Sequence, residues 1–231
     1  ALLMGRSPGR EAYPGDIFYV HSQRMERAAQ LSPEMGGGSM TFLPIIETQQ
    51  GDVTGYISTN LISMTDGQIY VSSKLFQEGF KPAVDLGLSV SRIGNKIQTP
   101  AIRSLCGSLR LEYIQYGELL AVTKLRSNIS KDAQNRIKHG SAITEIIRQN
   151  PNEPVGILEQ TLLFYALKQG VLDELPPAVI REFKKTFYLY AKEKHHSLLE
   201  NLGESRSVTP EIRLELDKAL SEYLSEKLYA Q

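Results

Sequence analysis

A change of period at Thr99-Pro100 constrains this chain more than any other feature. Beyond it Ile102, Leu105, Cys106, Leu109, Tyr113, Tyr116 and Leu120 recur at helical spacing and fall on one stripe. Pro100 suits a first helical turn, where its missing N–H costs nothing. Further starts and stops follow. Ser130 can cap a helix from Lys131 to His139, which Gly140 stops, and Ser141 can cap the next, to Gln149. Val155 to Lys168 ends at Gly170, and Pro177 opens a helix to about His195. Thr209-Pro210 starts the last one, with Ile212, Leu216, Leu220, Tyr223 and Leu224 on one face. No strand pattern is evident after residue 99. This half is expected to be an all-α bundle packing stripe against stripe.

Residues before the break read differently. Asp16 can cap a helix carrying Phe18, His21, Met25 and Ala28. Met40 to Glu47 is expected to be a strand, interrupted by Pro44. Thr54 to Met64 reads as a second extended segment, and Gln68 to Val71 as a third beyond the Thr65-Asp66-Gly67 turn. Ser73 to Glu78 reads as a short helix and Ala83-Val84 as a short buried strand entered through Pro82. Strands alternating with helices indicate an α/β layer. The expected division is residues 1–98 and 99–231, with the junction between Gly94 and Pro100. The sequence opens at Ala1, which reads as the middle of a domain.

Composition removes several functions. Twenty-six basic residues balance 26 acidic ones, where a nucleic-acid binder would carry a basic excess. One cysteine, Cys106, excludes a disulfide framework and reads as a small buried hydrophobe. No apolar run approaches the roughly 20 residues that cross a bilayer. Gly36-Gly37-Gly38 lacks the Gly-Lys-Ser/Thr ending of a phosphate loop, and no such loop occurs elsewhere in the sequence. His21, His139, His195 and His196 have no metal-ligand spacing, so no metal site is expected.

One stretch carries chemistry. Pro82-Ala83-Val84-Asp85-Leu86-Gly87-Leu88-Ser89-Val90-Ser91-Arg92 runs from a buried strand into a small-residue loop with an arginine at its tip. Loops at strand ends are where sites are usually built. Arginine keeps its charge and can pair bidentately with phosphate oxygens.

Pro-Ala-Val-Asp followed by Ser89-Val90-Ser91 resembles the signature of the alpha and beta subunits of rotary ATP synthases. Gly9-Arg10-Glu11-Ala12-Tyr13-Pro14-Gly15-Asp16, Leu43-Pro44-Ile45-Ile46-Glu47-Thr48-Gln49 and Ile62-Ser63-Met64-Thr65-Asp66-Gly67-Gln68-Ile69 resemble the alpha subunit specifically. The resemblance covers essentially the whole sequence. It implies the end of a RecA-like α/β nucleotide-binding domain followed by an all-α helical domain, without the phosphate-loop half.

The resemblance also implies roles. Arg92 would be an arginine finger acting in trans on the beta subunit's catalytic site, with Ser89 beside it and Ser63 and Val90 near the bound phosphates. Tyr13 and Gly67 match positions near that interface. A second, non-catalytic adenine pocket would draw on Lys81, Pro82 and Gln149. There the family's arginine is replaced by Lys81, and Pro151 stands where a second glutamine is expected. Ser127-Asn128-Ile129-Ser130 replaces an acidic segment that faces the rotor. The implied ligands are ATP or ADP with Mg2+, whose phosphate and metal contacts lie outside this sequence. The implied partners are the beta subunit, the amino-terminal half of alpha, the central stalk gamma and the peripheral stalk. The implied place is the periphery of a mitochondrial inner or bacterial inner membrane, as a subunit of the ion-translocating two-sector ATPase. Two rivals stay open: an autonomous helical assembly or regulatory module, and a catalytic relative such as a beta-type or secretion ATPase.

Overall fold

The computed structural model describes residues 1–123 and 130–228. The Ser127-Asn128-Ile129 departure lies outside the described residues. The carboxy-terminal half is a bundle of seven α-helices among the described residues: α5 (Pro100–Cys106), α6 (Leu109–Thr123), α7 (Lys131–Ile147), α8 (Ile157–Lys168), α9 (Pro177–Lys194), α10 (His196–Ser205) and α11 (Pro210–Tyr223). The preceding half holds α1 (Ile17–Met25), α2 (Tyr56–Met64), α3 (Ser73–Gln77), α4 (Gly94–Ile97) and two short strands, β1 (Gly67–Gln68) and β2 (Val90–Ser91).

The helix starts follow from their caps. Thr99, Ser130 and Thr209 each accept a bond from the amide three residues on, at 3.3 Å. Each thus satisfies one of the donors a helix leaves free at its start. Proline follows Thr99 and Thr209 at the first helical position.

Helix α6 packs on α7, α5 on α8, and α9 on α7, α10 and α11. Between them lies one core, from Leu105 on α5 to Leu224 beyond α11. Almost all of the buried apolar residues belong to it; before Pro100 the buried apolar residues are Leu61, Phe80 and Ala83.

Four helical readings need correction. The stripe from Ile102 to Leu120 is not one helix; it turns at Gly107-Ser108. Gly140 does not stop a helix: α7 runs through it to Ile147. A helix the sequence reading passed over, α10, buries Leu198, Leu199 and Leu202. Thr54 to Met64 is not extended. Asp52 accepts bonds from the amide and hydroxyl of Thr54, and α2 follows with Ser58 and Leu61 turned inward.

The Met40–Glu47 strand is also not formed. Thr41 to Glu47 has no regular structure, and no backbone hydrogen bond joins Thr41 to Glu47 to a neighbour among the described residues. A strand exists only where a second one takes its N–H and C=O groups. Leu43 is 80% exposed and Ile45 97%.

Gly140 serves packing instead. A Cβ there would lie 2.2 Å from Cγ and 2.4 Å from Cβ of Tyr116. Since the Cβ of Tyr116 is fixed to α6, no rotamer change relieves the clash, and the two helices must separate. Gly140→Ala is therefore expected to destabilise the bundle by about 2 kcal/mol, although alanine favours helix over glycine by about 1 kcal/mol. Urea denaturation of both proteins measures this. Equal or greater stability in the variant would contradict the close approach.

An imidazole ties the same two helices to the loop after α8. His139 Nδ1 lies 2.8 Å from Asp173 Oδ1, and Nε2 lies 3.2 Å from Glu112 Oε2. Only the doubly protonated ring can donate to both carboxylates. The Asp173 bond chiefly holds the His139 pKa above its ordinary 6.5, with burial opposing and Glu112 adding. A raised folded pKa stabilises fully below the ordinary value and is lost as pH rises through the raised one. Stability at about pH 9 is thus expected to fall below that at about pH 6, and His139→Gln to flatten the difference. Denaturant midpoints at the two pH values decide; an unchanged slope in the variant means the dependence arises elsewhere.

Candidate functional site

Arg92 follows β2, and its backbone is pinned from the β1 side. Strands β1 and β2 pair antiparallel, with Gly67 opposite Ser91 and Gln68 opposite Val90. The Arg92 amide donates to the Asp66 carbonyl at 2.8 Å. Only glycine fits at 67, because a Cβ would meet the Val90 carbonyl oxygen at 2.2 Å. The run continues backwards: the Asp85 amide donates to the Tyr70 carbonyl, the Ser72 amide to the Ala83 carbonyl, and Val71 bridges Val84. The expected Ala83-Val84 strand is thus a single bridge, with Ala83 buried.

The loop between has its own bracing. Asp85 Oδ1 accepts from the amides of Gly87 at 2.8 Å and Leu88 at 3.1 Å, an Asx turn. The Ser89 amide donates to the Asp85 carbonyl at 3.0 Å, and the Ser89 hydroxyl accepts from the Tyr70 amide at 2.9 Å. The Ser91 hydroxyl accepts from the Gly94 amide at 3.0 Å. Both serines spend their oxygens on holding the loop's shape.

The Arg92 side chain is exposed. It makes no ion pair, side-chain hydrogen bond or ring contact among the described residues. On that fixed backbone the guanidinium keeps five donors, a group whose planar fork can pair bidentately with an oxyanion. Val90 beside it is 40% exposed. Ser63, on the last turn of α2, donates to the Asn60 carbonyl at 2.6 Å and is open to solvent. It stands shortly before Asp66, the residue that takes the Arg92 amide. Tyr13, 39% exposed, lies against the Tyr56 ring at 6.3 Å.

A second cluster brings together Lys81, Pro82 and Gln149. The Gln149 amide donates to the Lys81 carbonyl at 2.8 Å, joining the end of α7 to the start of the signature stretch. Gln149 Nε2 donates to the Glu153 carbonyl at 2.7 Å, and Lys81 Nζ lies over the Phe76 ring at 5.3 Å. Lys184 bonds the carbonyls of Ile146 and Arg148, closing the end of α7; its burial lowers its pKa. The adjoining cleft, about 540 Å³, is lined by Glu145, Arg148, Gln149 and Lys184 among others. Glu145 is paired there with Arg148 and Arg181, each at 3.2 Å. The group offers a polar edge that could meet a flat ring.

Among the described residues, no three histidine, cysteine, aspartate or glutamate side chains converge where a metal ion could sit. Burial pushes the Cys106 thiol up to about 11, so it is not a reactive thiolate.

Two family models match the sequence. Residues 1–91 match the nucleotide-binding domain of the ATP synthase alpha/beta family, and residues 98–223 match the C-terminal domain of its alpha/beta chains. The chain belongs to the ATP synthase alpha/beta family. Within the family it is similar to proteins described as ATP synthase subunit alpha. One, from Petrotoga mobilis (strain DSM 10674 / SJ95), is 44% identical over 97% of this chain and 45% of its own length. Others are from Lawsonia intracellularis (strain PHE/MN1-00), 43% identical, and Aquifex aeolicus (strain VF5), 44% identical; each match covers 96% of this chain and 44% of the relative. The chain thus spans under half the length of these ATP synthase relatives. The mixed fold class, the end of a nucleotide-binding domain followed by a helical domain, is the one the family matches carry. The alpha-type sequence blocks also agree with the names of these relatives.

Sequence reasoning gave no role to Asp85, Asp66, Tyr70 or Arg110, all of which hold the Arg92 loop. Asp85-Leu86-Gly87 is a readable Asx turn. Arg110 has no local signal, because its partners are distant in sequence.

Proposed function

We propose that this chain is the carboxy-terminal part of a non-catalytic alpha subunit of a rotary ATP synthase. In this reading Arg92 acts as an arginine finger on the nucleotide of a neighbouring beta subunit. The observation that carries it is the Arg92 guanidinium, unpartnered among the described residues, on a backbone held by β1, Asp66 and Ser89. Ser89 fixes the loop, while Ser63 and Val90, both open to solvent, would neighbour the phosphates. The phosphate cradle and the Mg2+ contacts belong to other parts of the complex, since no G-x-x-x-x-G-K-[ST] occurs here.

The transferred phosphoryl group gathers negative charge on its equatorial oxygens as the bond to the leaving oxygen lengthens. A bidentate guanidinium brought to those oxygens stabilises that charge more than the ground state, and so speeds the step. Because the group arrives from another subunit, chemistry follows closure of the interface. Coupling to ion transport then comes through the central stalk and membrane sector. In this reading attachment to the membrane runs through the complex; no described helix is long and apolar enough to cross a membrane. Lys81, Pro82 and Gln149 form one edge of a non-catalytic adenine pocket.

The exposed apolar residues of residues 1–97 support a partner of the kind an amino-terminal half of alpha would supply. Ile45, Leu43, Phe42 and Met40 stand exposed, on a stretch with no strand neighbour among the described residues. An autonomous module would bury them.

The test is trapping by a transition-state mimic. A complex with wild-type alpha should hold ADP and aluminium fluoride at its catalytic sites. With Arg92→Ala it should bind ATP as before but lose the trapped state. Undiminished trapping would show that no finger acts from this position.

A further inference from the structure

We infer that Arg110 is a positioning residue for Arg92, linking the helical bundle to the loop that carries the finger; this rests on the reading of Arg92 given above. Arg110 lies on the first turn of α6. Its Nε donates to the Leu86 carbonyl at 2.9 Å and its Nη2 to the Gly87 carbonyl at 3.1 Å. Among the described residues it pairs with no carboxylate. The guanidinium is spent on the main chain of one turn through two of its nitrogens, a use that needs the planar fork.

That turn is the base of the finger loop. The carbonyls of Leu86 and Gly87 lie inside the Asx turn made by Asp85. Ser89 is tied back to the Asp85 carbonyl, and β2 leads straight into Arg92. Gly87 itself faces α6, where a Cβ would lie 4.0 Å from Ile114 Cγ1. One turn along, Tyr113 meets Phe80 with ring centroids 6.5 Å apart. Helix α6 thus holds the loop through Arg110, and the segment before it through Tyr113, while α6 itself packs on α7 in the bundle. The opposite wall, Asp66 and Tyr70, comes from the β1 side. If only that wall held the loop, Arg92 would follow the nucleotide-binding domain alone. Arg110 makes it follow the bundle as well.

Misplacing a catalytic group by about 1 Å can cost on the order of 100-fold in rate. In the assembled complex, Arg110→Ala is expected to lower kcat by roughly 10-fold to 100-fold, with KM for MgATP changed far less. Arg110→Lys, a point charge without the fork, should restore only part. The deciding arm repeats Arg110→Ala in an Arg92→Ala background, with release of radiolabelled phosphate to read the low rates. If Arg110 acts through Arg92, its loss there should change the rate by less than about twofold, since the two residues work as one unit.

Equal fold-losses in both backgrounds would overturn the inference, because a merely structural arginine costs the same with or without the finger. No loss in the wild-type background would also overturn it. Wild-type turnover by Arg92→Ala alone would instead overturn the finger reading, and the inference with it. Should Arg110→Ala fail to assemble, Arg110→Gln, which keeps one donor group, is put through the same two backgrounds and judged by the same comparison.

Discussion

If Arg92 acts as proposed, Arg92→Ala in the assembled complex is expected to lower steady-state ATP hydrolysis by roughly 10³-fold or more, the range of trans-acting arginines in phosphoryl-transfer systems. Assembly and nucleotide affinity at the catalytic sites should remain close to wild type. The structure gives the reason for that separation. Arg92 uses its amide, not its side chain, to hold the fold, and its guanidinium makes no hydrogen bond, ion pair or ring contact among the described residues. Truncation therefore removes a charge from the site without opening a hole in the protein. Arg92→Lys should recover little, because an ammonium cannot meet two oxygens in one plane. Turnover within a few-fold of wild type would mean that the arginine is a surface residue. A collapse of assembly would mean that its charge holds an interface rather than a transition state.

Tyr223→Ala should be the most damaging single change to the bundle. Its ring is 2% exposed and meets Phe183, Phe187 and Tyr190 edge-on, at 5.3, 5.2 and 5.2 Å between centroids. Three rings of α9 thus close on one ring of α11. The Tyr223 hydroxyl also bonds Thr186 at 2.5 Å. Removing a buried ring of this size costs about 3–5 kcal/mol, since the cavity cannot collapse around three stiff neighbours. Tyr223→Phe keeps the ring contacts and loses only the hydrogen bond, about 1 kcal/mol. Thr186 still donates to the Glu182 carbonyl in that variant. Denaturant midpoints of the pair separate the two effects. Equal losses in both would assign the stabilisation to the hydroxyl and contradict the ring packing.

Much of the bundle was legible because its signals are local. A capping hydroxyl followed by proline fixes a helix start through bonds spanning three residues, as Thr99 and Thr209 do. The apolar stripe then fixes which face turns inward. Gly140 was misread because the same residue stops helices and admits close neighbours, and only the approach of Tyr116 tells which. The Met40–Glu47 strand was misread for a related reason. Its residues favour a strand, but a strand is a property of a pair, and no partner for it is present among the described residues.

The sequence by itself determined the family, through blocks whose order and spacing survive without coordinates. It also determined that Arg92 stands at the end of a small-residue loop. Beyond the local Asx turn at Asp85, what holds that arginine in place was decided by tertiary structure. Tyr70 lies 19 residues from Ser89, whose hydroxyl takes its amide. Arg110 lies 24 residues from Leu86 and 23 from Gly87, whose carbonyls it binds. Contacts over such distances leave no periodic trace in a single sequence. They exist only once folding has brought α6, β1 and the signature loop to one place, because a hydrogen bond depends on separation in space and not along the sequence.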